Sequence, residues 1–214
     1  MINKDKYDDN YYRSLYINPF LFKLKINRIY YKWIAHFCLI KKAGLNKGSL
    51  ALDIGCGVGN LVKALRDYDI EAYGIEPSIE AKKYSTISQF CVYKKYRKLP
   101  FGKATFDLVF SNEVLEHICE RDIDEFVNES YRVSKGKIIH IVCVEERGNI
   151  IYKDKTHLTL KKESWWKEKF QKLGFRVETG NKYYFFPNIF ELFTGRLKLS
   201  GISKGFFYLN KKNE

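Results

Sequence analysis

Leu50-Ala51-Leu52-Asp53-Ile54-Gly55-Cys56-Gly57-Val58-Gly59-Asn60-Leu61-Val62-Lys63-Ala64-Leu65 is the stretch whose reading decides the fold. Five residues of buried-strand character run straight into Gly55-x-Gly57-x-Gly59, after which Leu61, Val62 and Leu65 share one side of a helix. Glycines let a backbone turn sharply and let a ligand approach without a side chain in the way. Strand, glycine turn and helix amino terminus therefore come in the order that a cofactor site needs. A lone Gly-x-Gly-x-Gly is weak evidence, so its companions decide.

Dinucleotide sites use Gly-x-Gly-x-x-Gly, with the third glycine one place later, but position 60 is Asn, and the spacing disfavours a nicotinamide dinucleotide. Glu76 closes the strand-like Tyr73-Gly74-Ile75 and lies 76 − 59 = 17 residues beyond the last glycine. A carboxylate at the carboxyl end of a second strand can accept both ribose hydroxyls of an adenosine. Asp53 sets another carboxylate at the mouth of the first strand.

Beyond this stretch, short apolar runs alternate with helical patterns, which points to β-α-β units and a mostly parallel sheet. Strands are predicted at 50–54, 72–75, 90–93, 106–111, 137–144, 175–179 and 206–210, and helices near 60–68, 79–85, 115–118, 122–134 and 162–173. The clearest helix places Ile123, Phe126, Val127 and Tyr131 on one face with Asp122 as its amino-terminal cap. Apolar residues at spacings of three and four from Leu21 to Ile40 predict an amphipathic helical extension. The expected class is a doubly wound α/β fold with helices on both faces. Residues 1–47 form a helical cap and residues 48–214 the main domain, within one globular unit. Tyr183, Tyr184, Phe185, Phe186, Phe190 and Phe193 crowd around Pro187, as core or as an aromatic wall over a cleft.

The five cysteines are odd in number and widely spaced, and no His/Cys/Asp group has metal spacing along the chain, so neither a disulfide framework nor a metal is expected. The opening residues lack a signal-peptide core, and no run approaches the roughly 18 apolar residues of a membrane span. A cytoplasmic setting is the expectation. Lys and Arg number 38 against 25 Asp and Glu, a formal charge of +13, but they come as scattered pairs such as Lys41-Lys42 and Lys94-Lys95. This pattern fits a solvated basic surface better than a phosphate-binding face, although nucleic acid or an anionic membrane stays open as a partner.

With these motifs the chain resembles the class I S-adenosylmethionine (SAM)-dependent methyltransferases, above all their type 11 group. Leu52 to Gly59 is similar to that family's first motif and Tyr73-Gly74-Ile75-Glu76-Pro77-Ser78 to its second. Leu99-Pro100-Phe101 with Phe106-Asp107-Leu108-Val109 is similar to the third, and Ser111-Asn112-Glu113-Val114-Leu115-Glu116-His117 to the segment after the fourth strand. The resemblance implies a Rossmann-like seven-stranded sheet whose last strand, here 206–210, runs antiparallel. It implies that Gly55, Cys56, Gly57 and Glu76 contact SAM, with Gly59 completing the loop. Pro77 and Leu99 would flank the adenine, and Ser111 and Asn112 would line the methionine end. Asp53 would orient the loop and attract the cationic end of SAM. Two departures stand out. Lys95 occupies the place of a usual acidic adenine contact, and the turn before the fifth strand is shortened to Ser134-Lys135-Gly136-Lys137.

Transfer from a sulfonium chiefly needs alignment of the acceptor, with proton removal where the acceptor is a hydroxyl or ammonium. His117 and His157 are the candidate bases, His117 sharing a helical face with Glu113 four residues earlier, and His140 reads as a core residue. Glu145 and Glu146 end the fifth strand and could meet a substrate. The Asn-Pro-Pro-Tyr type of tetrapeptide is missing, which favours a small molecule, sugar or natural-product intermediate as acceptor, with S-adenosylhomocysteine (SAH) as by-product. The alternatives are an RNA methyltransferase and a SAM-holding module without turnover.

Overall fold

The computed structural model describes residues 8–9, 12, 26–145, 156–180 and 203–211. The aromatic segment 181–195 and Glu146 lie outside them. Helix α1 (Ile26–Trp33) runs on through a π-helical stretch, Ile34–Ile40, and a last turn, Lys41–Ala43, which Gly44 ends in the left-handed region at φ +60°. Then come β1 (Leu50–Ile54), α2 (Asn60–Arg66), β2 (Glu71–Glu76), β3 (Cys91–Tyr93), β4 (Leu108–Asn112), α3 (Ile123–Val133), β5 (Ile138–Val144), α4 (Glu163–Lys172), β6 (Phe175–Thr179) and β7 (Ser203–Lys211). The pieces expected at 79–85 and 115–118 are shorter 3₁₀ turns, Glu80–Tyr84 and Leu115–His117.

The seven strands order as β3-β2-β1-β4-β5-β7-β6. β1 to β5 are parallel, and β7 inserts antiparallel between β5 and β6. Alternation along the strands divides the core cleanly. Ala51, Leu108, Phe110, Ile139, Ile141, Phe206 and Tyr208 pack with Ile34, Leu39, Leu61 and Leu65 from the α1 run and α2. Leu52, Val109, Ile138, Val142, Phe207 and Leu209 face the other way, toward α3 and α4. Helices cover both faces, and the described part of the amino-terminal extension shares one of these cores.

Asp122 stands at the cap position of α3, but its side chain makes no capping hydrogen bond; the preceding 3₁₀ turn Glu120–Asp122 carries the chain into the helix instead. The five cysteines are free. Among the described residues no helix is long and apolar enough to cross a membrane.

His140, opposite Ser111 in the β4–β5 ladder, is fully buried, and its Nδ1 lies 2.9 Å from Ser111 Oγ. It is the core histidine the sequence suggested. Burial drives its pKa down to about 3. The unfolded chain protonates this imidazole below about pH 6.5 while the folded chain refuses the proton until about 3, so stability is full above 6.5 and falls as pH drops through that window. Lowering the pH from 6.5 to 4 should cost the native protein about 3 kcal/mol through this group. In urea melts, His140→Gln, which keeps a partner for Ser111, should show a correspondingly shallower acid slope.

Candidate cofactor and acceptor site

Sheet order reverses between β1 and β4, whose connections leave toward opposite edges; such a switch point opens a crevice at the carboxyl ends of the strands. The glycine loop lies there. Gly55 N–H and Cys56 N–H both donate to Ile75 O, at 2.8 and 3.2 Å, which ties the loop to β2. Gly55 has φ +79°, and a Cβ on it would fall 2.5 Å from Val114 Cγ2, so only glycine fits. Gly57, at φ +53°, has nothing within 4 Å of its would-be Cβ and faces open space. Gly59 leads into α2.

Glu76 ends β2 with only 7% of its surface exposed. Its Oε2 accepts Gly57 N–H and its Oε1 accepts Ser78 N–H, each at 2.9 Å. Burial raises its pKa, and the two N–H donors oppose that shift. Pro77, half-buried, follows it. Asp53 is also buried, which pushes its carboxyl well above the usual range, with Cys91 and Glu76 adding to the shift. Among the described residues no hydrogen-bond donor acts on the Asp53 carboxylate. Asn112 Oδ1 is buried without a hydrogen-bond partner.

Several predicted side chains are spent elsewhere. Cys56 turns inward, its Sγ beside Gly74 and donating to Gly57 O at 3.7 Å, so only its backbone is left for the crevice. Ser111 is wholly buried on the α3/α4 face, its hydroxyl 2.9 Å from His140 Nδ1, whereas Asn112 follows it on the opposite face of β4. Leu99 packs beneath β1 and β2 with Ile54 and Ile75. Sequence reasoning missed its anchor: Leu99 N–H donates to Glu129 Oε2 at 2.9 Å, and Arg132 donates to Leu99 O and Phe101 O, both at 2.9 Å. The Glu129/Arg132 spacing on α3 was a visible ion-pair signal.

Glu113 does not share a helix face with His117. It leaves β4 at φ +57°, a left-handed backbone unusual for a non-glycine residue, and the helical turn starts only at Leu115. Glu113 pairs with Lys204 from β7, which also donates to Tyr30 OH of α1 at 2.7 Å. Partial desolvation opposes charge on Glu113, whose side chain is still 42% exposed, but Lys204 more than offsets this and holds the carboxyl below its ordinary value. Tyr30 and Lys204 carried no sequence signal, because the contact spans 174 positions. His117 and His157 come together, ring centroids 4.8 Å apart, with Glu116 beside them, although linear spacing had suggested no such cluster. Glu145 N–H donates to Lys161 O, outside this group.

Residues 52–140 match the methyltransferase domain family. An uncharacterized protein of Methanocaldococcus jannaschii is 30% identical over 156 residues, covering 72% of this chain and 67% of that protein. The chain belongs to the class I SAM-dependent methyltransferases. A sterol 4-C-methyltransferase of Caenorhabditis elegans is 30% identical over 115 residues, covering 49% of this methyltransferase and 34% of the nematode protein. A SAM-dependent methyltransferase of Aquifex aeolicus has the same fold, with a TM-score of 0.63 at 18% identity over 96% of this chain and 100% of that one.

The residues of this methyltransferase fit the family cofactor. The space over Gly57 admits a backbone-hugging ligand, Glu76 is an acceptor suited to a ribose diol, and Asp53 and Asn112 Oδ1 both lack the donors an amino-acid ammonium provides. Glu76→Ala should weaken SAH binding at least tenfold and Gly57→Arg should abolish it, measured by calorimetry on variants whose circular dichroism matches the parent.

Proposed function

We propose that this chain binds SAM through Asp53, Gly55, Cys56, Gly57, Gly59, Glu76, Pro77, Leu99 and Asn112 and methylates a hydroxyl or amine of a small molecule, sugar or natural-product intermediate, releasing SAH. The observation that carries this reading is the pair of buried carboxylates: Glu76 fastened to the loop at Gly57, and Asp53 with no donor beside it. Bound SAM supplies a methyl group already activated by its sulfonium for in-line displacement. The loop's work is to hold the nucleoside and exclude water.

His117 and His157 flank the carboxyl edge just beyond Asn112 and act on the acceptor's proton. His117 Nδ1 lies 3.2 Å from Thr156 O, which fixes the ring's orientation. At the acceptor end α1 contributes Tyr30, whose hydroxyl accepts from Lys204 of β7.

A nucleic-acid acceptor is disfavoured by the way the basic residues are used. Arg28 and Lys32 pair with Asp67, Lys42 with Glu178, Lys47 with Asp69, Lys135 with Asp107 and Lys161 with Glu120, so these six cations are already engaged with carboxylates. Turnover on small acceptors should therefore change less than about threefold in KM between 50 and 200 mM salt, whereas an RNA acceptor held by six or more phosphate contacts would lose about a thousandfold.

A further inference from the structure

Glu116 and His117 close the short turn after β4, and His157 lies on the segment returning after β5. One donor atom from each lies within 4.8 Å of the other two. Backbone structure holds the two segments together: Leu158 and Thr159 N–H groups both donate to Glu116 O, at 2.8 and 2.9 Å, and Thr159 Oγ1 donates to Ile118 O at 2.7 Å. His157 therefore reaches His117 through a fixed crossing of main chains. It is not a chance meeting of surface side chains.

Glu116 is fully buried, an unusual place for a carboxylate. Its Oε1 accepts Cys143 N–H at 3.0 Å, but Oε2 is buried with no hydrogen-bond partner. A buried carboxylate oxygen without a donor is costly, and a cation would remove the deficit. Nδ1 of His117 lies 3.2 Å from Thr156 O and 3.0 Å from Thr156 Oγ1. A carbonyl can only accept, so when Nδ1 donates to Thr156 O the neutral ring keeps its lone pair on Nε2. Metal-binding imidazoles adopt this arrangement when a carbonyl holds their other N–H.

We infer that Glu116, His117 and His157 hold a divalent first-row transition ion. Two imidazoles and one carboxylate suit Mn, Fe, Co or Zn better than Mg or Ca, and three protein ligands leave coordination positions open. Ligand atoms about 2.0–2.2 Å from an ion lie roughly 3–3.5 Å apart, so the widest pair, up to 4.8 Å apart, must draw together by roughly 1.5 Å. Glu113, already paired with Lys204, lies within electrostatic reach of both Glu116 and His117. Binding of the ion stands without methyl transfer; its role rests on the function proposed above. An acceptor hydroxyl completing the coordination would be acidified by the ion and release its proton to bulk water, so the histidines would act on that proton as ligands of the ion and not as its acceptors.

The test is a Co²⁺ titration of the chelator-treated full chain, followed by calorimetry and visible absorption, with SAH affinity and melting temperature recorded on the same samples. One Co²⁺ per chain is expected, with ligand-field bands of nitrogen and oxygen coordination. Glu116→Gln, which keeps an acceptor for Cys143 N–H, should bind at least tenfold more weakly, His157→Asn likewise, and the His117→Ala/His157→Ala double variant should show no stoichiometric binding. Absence of stoichiometric binding by the parent, equal affinity in these variants, or thiolate-to-cobalt charge-transfer bands placing the ion on Cys56 and Cys91 would each overturn the inference. Glu76→Ala lies outside the cluster and separates the two readings: losing SAH there while Co²⁺ binding persists bears on the cofactor site alone.

Discussion

A carboxylate removed from water dictates the rest of this architecture. Glu76 is buried at the end of β2 and accepts two backbone N–H groups, one of them from the glycine loop on the neighbouring strand. Desolvation makes such a group expensive unless donors surround it, so the loop must lie where its amides reach the second strand. That requirement explains why Gly57 takes a left-handed backbone and why Gly55 presses against Val114. The β4 turn bearing Val114 is thereby set against the loop, and the crevice acquires its far wall.

The pattern of the fold was legible because it is local and periodic. Alternation along β1, β4, β5 and β7 sorts residues onto two helix-covered faces, and a run such as Ile138 to Val144, buried throughout, reads as a central strand without ambiguity. The glycine loop and Glu76 were legible for a related reason, since their spacing is fixed by one β-α-β unit. Elements whose shape depends on tertiary contact were harder. The turn at 115–117 is too short for helical periodicity to hold, and Glu113 departs from it because its backbone is bonded to Ile141 O across the sheet.

The side chains whose surroundings spacing alone does not give share one physical feature, the face to which a strand or turn directs them. Ser111 and Asn112 are neighbours, yet the pleat sends Ser111 into the α3/α4 core toward His140 and leaves Asn112 on the other face. Cys56 lies in the loop, but its sulfur is drawn under it toward Gly74. The histidine pair and its carboxylate come from segments some forty positions apart, fastened by main-chain bonds that no linear spacing encodes.

The placement of β7 has a consequence for how the molecule is made. Because this strand wedges between β5 and β6, the cation that balances Glu113 is supplied by a residue 91 positions later in the chain. During synthesis the glycine loop and β1 to β5 emerge first, leaving a half-formed sheet with one open margin and an uncompensated acid at its rim. Arrival of residues 203–211 would cover that margin and neutralise the rim in a single docking event, coupling maturation of the turn after β4 to the last long-range pairing of the sheet.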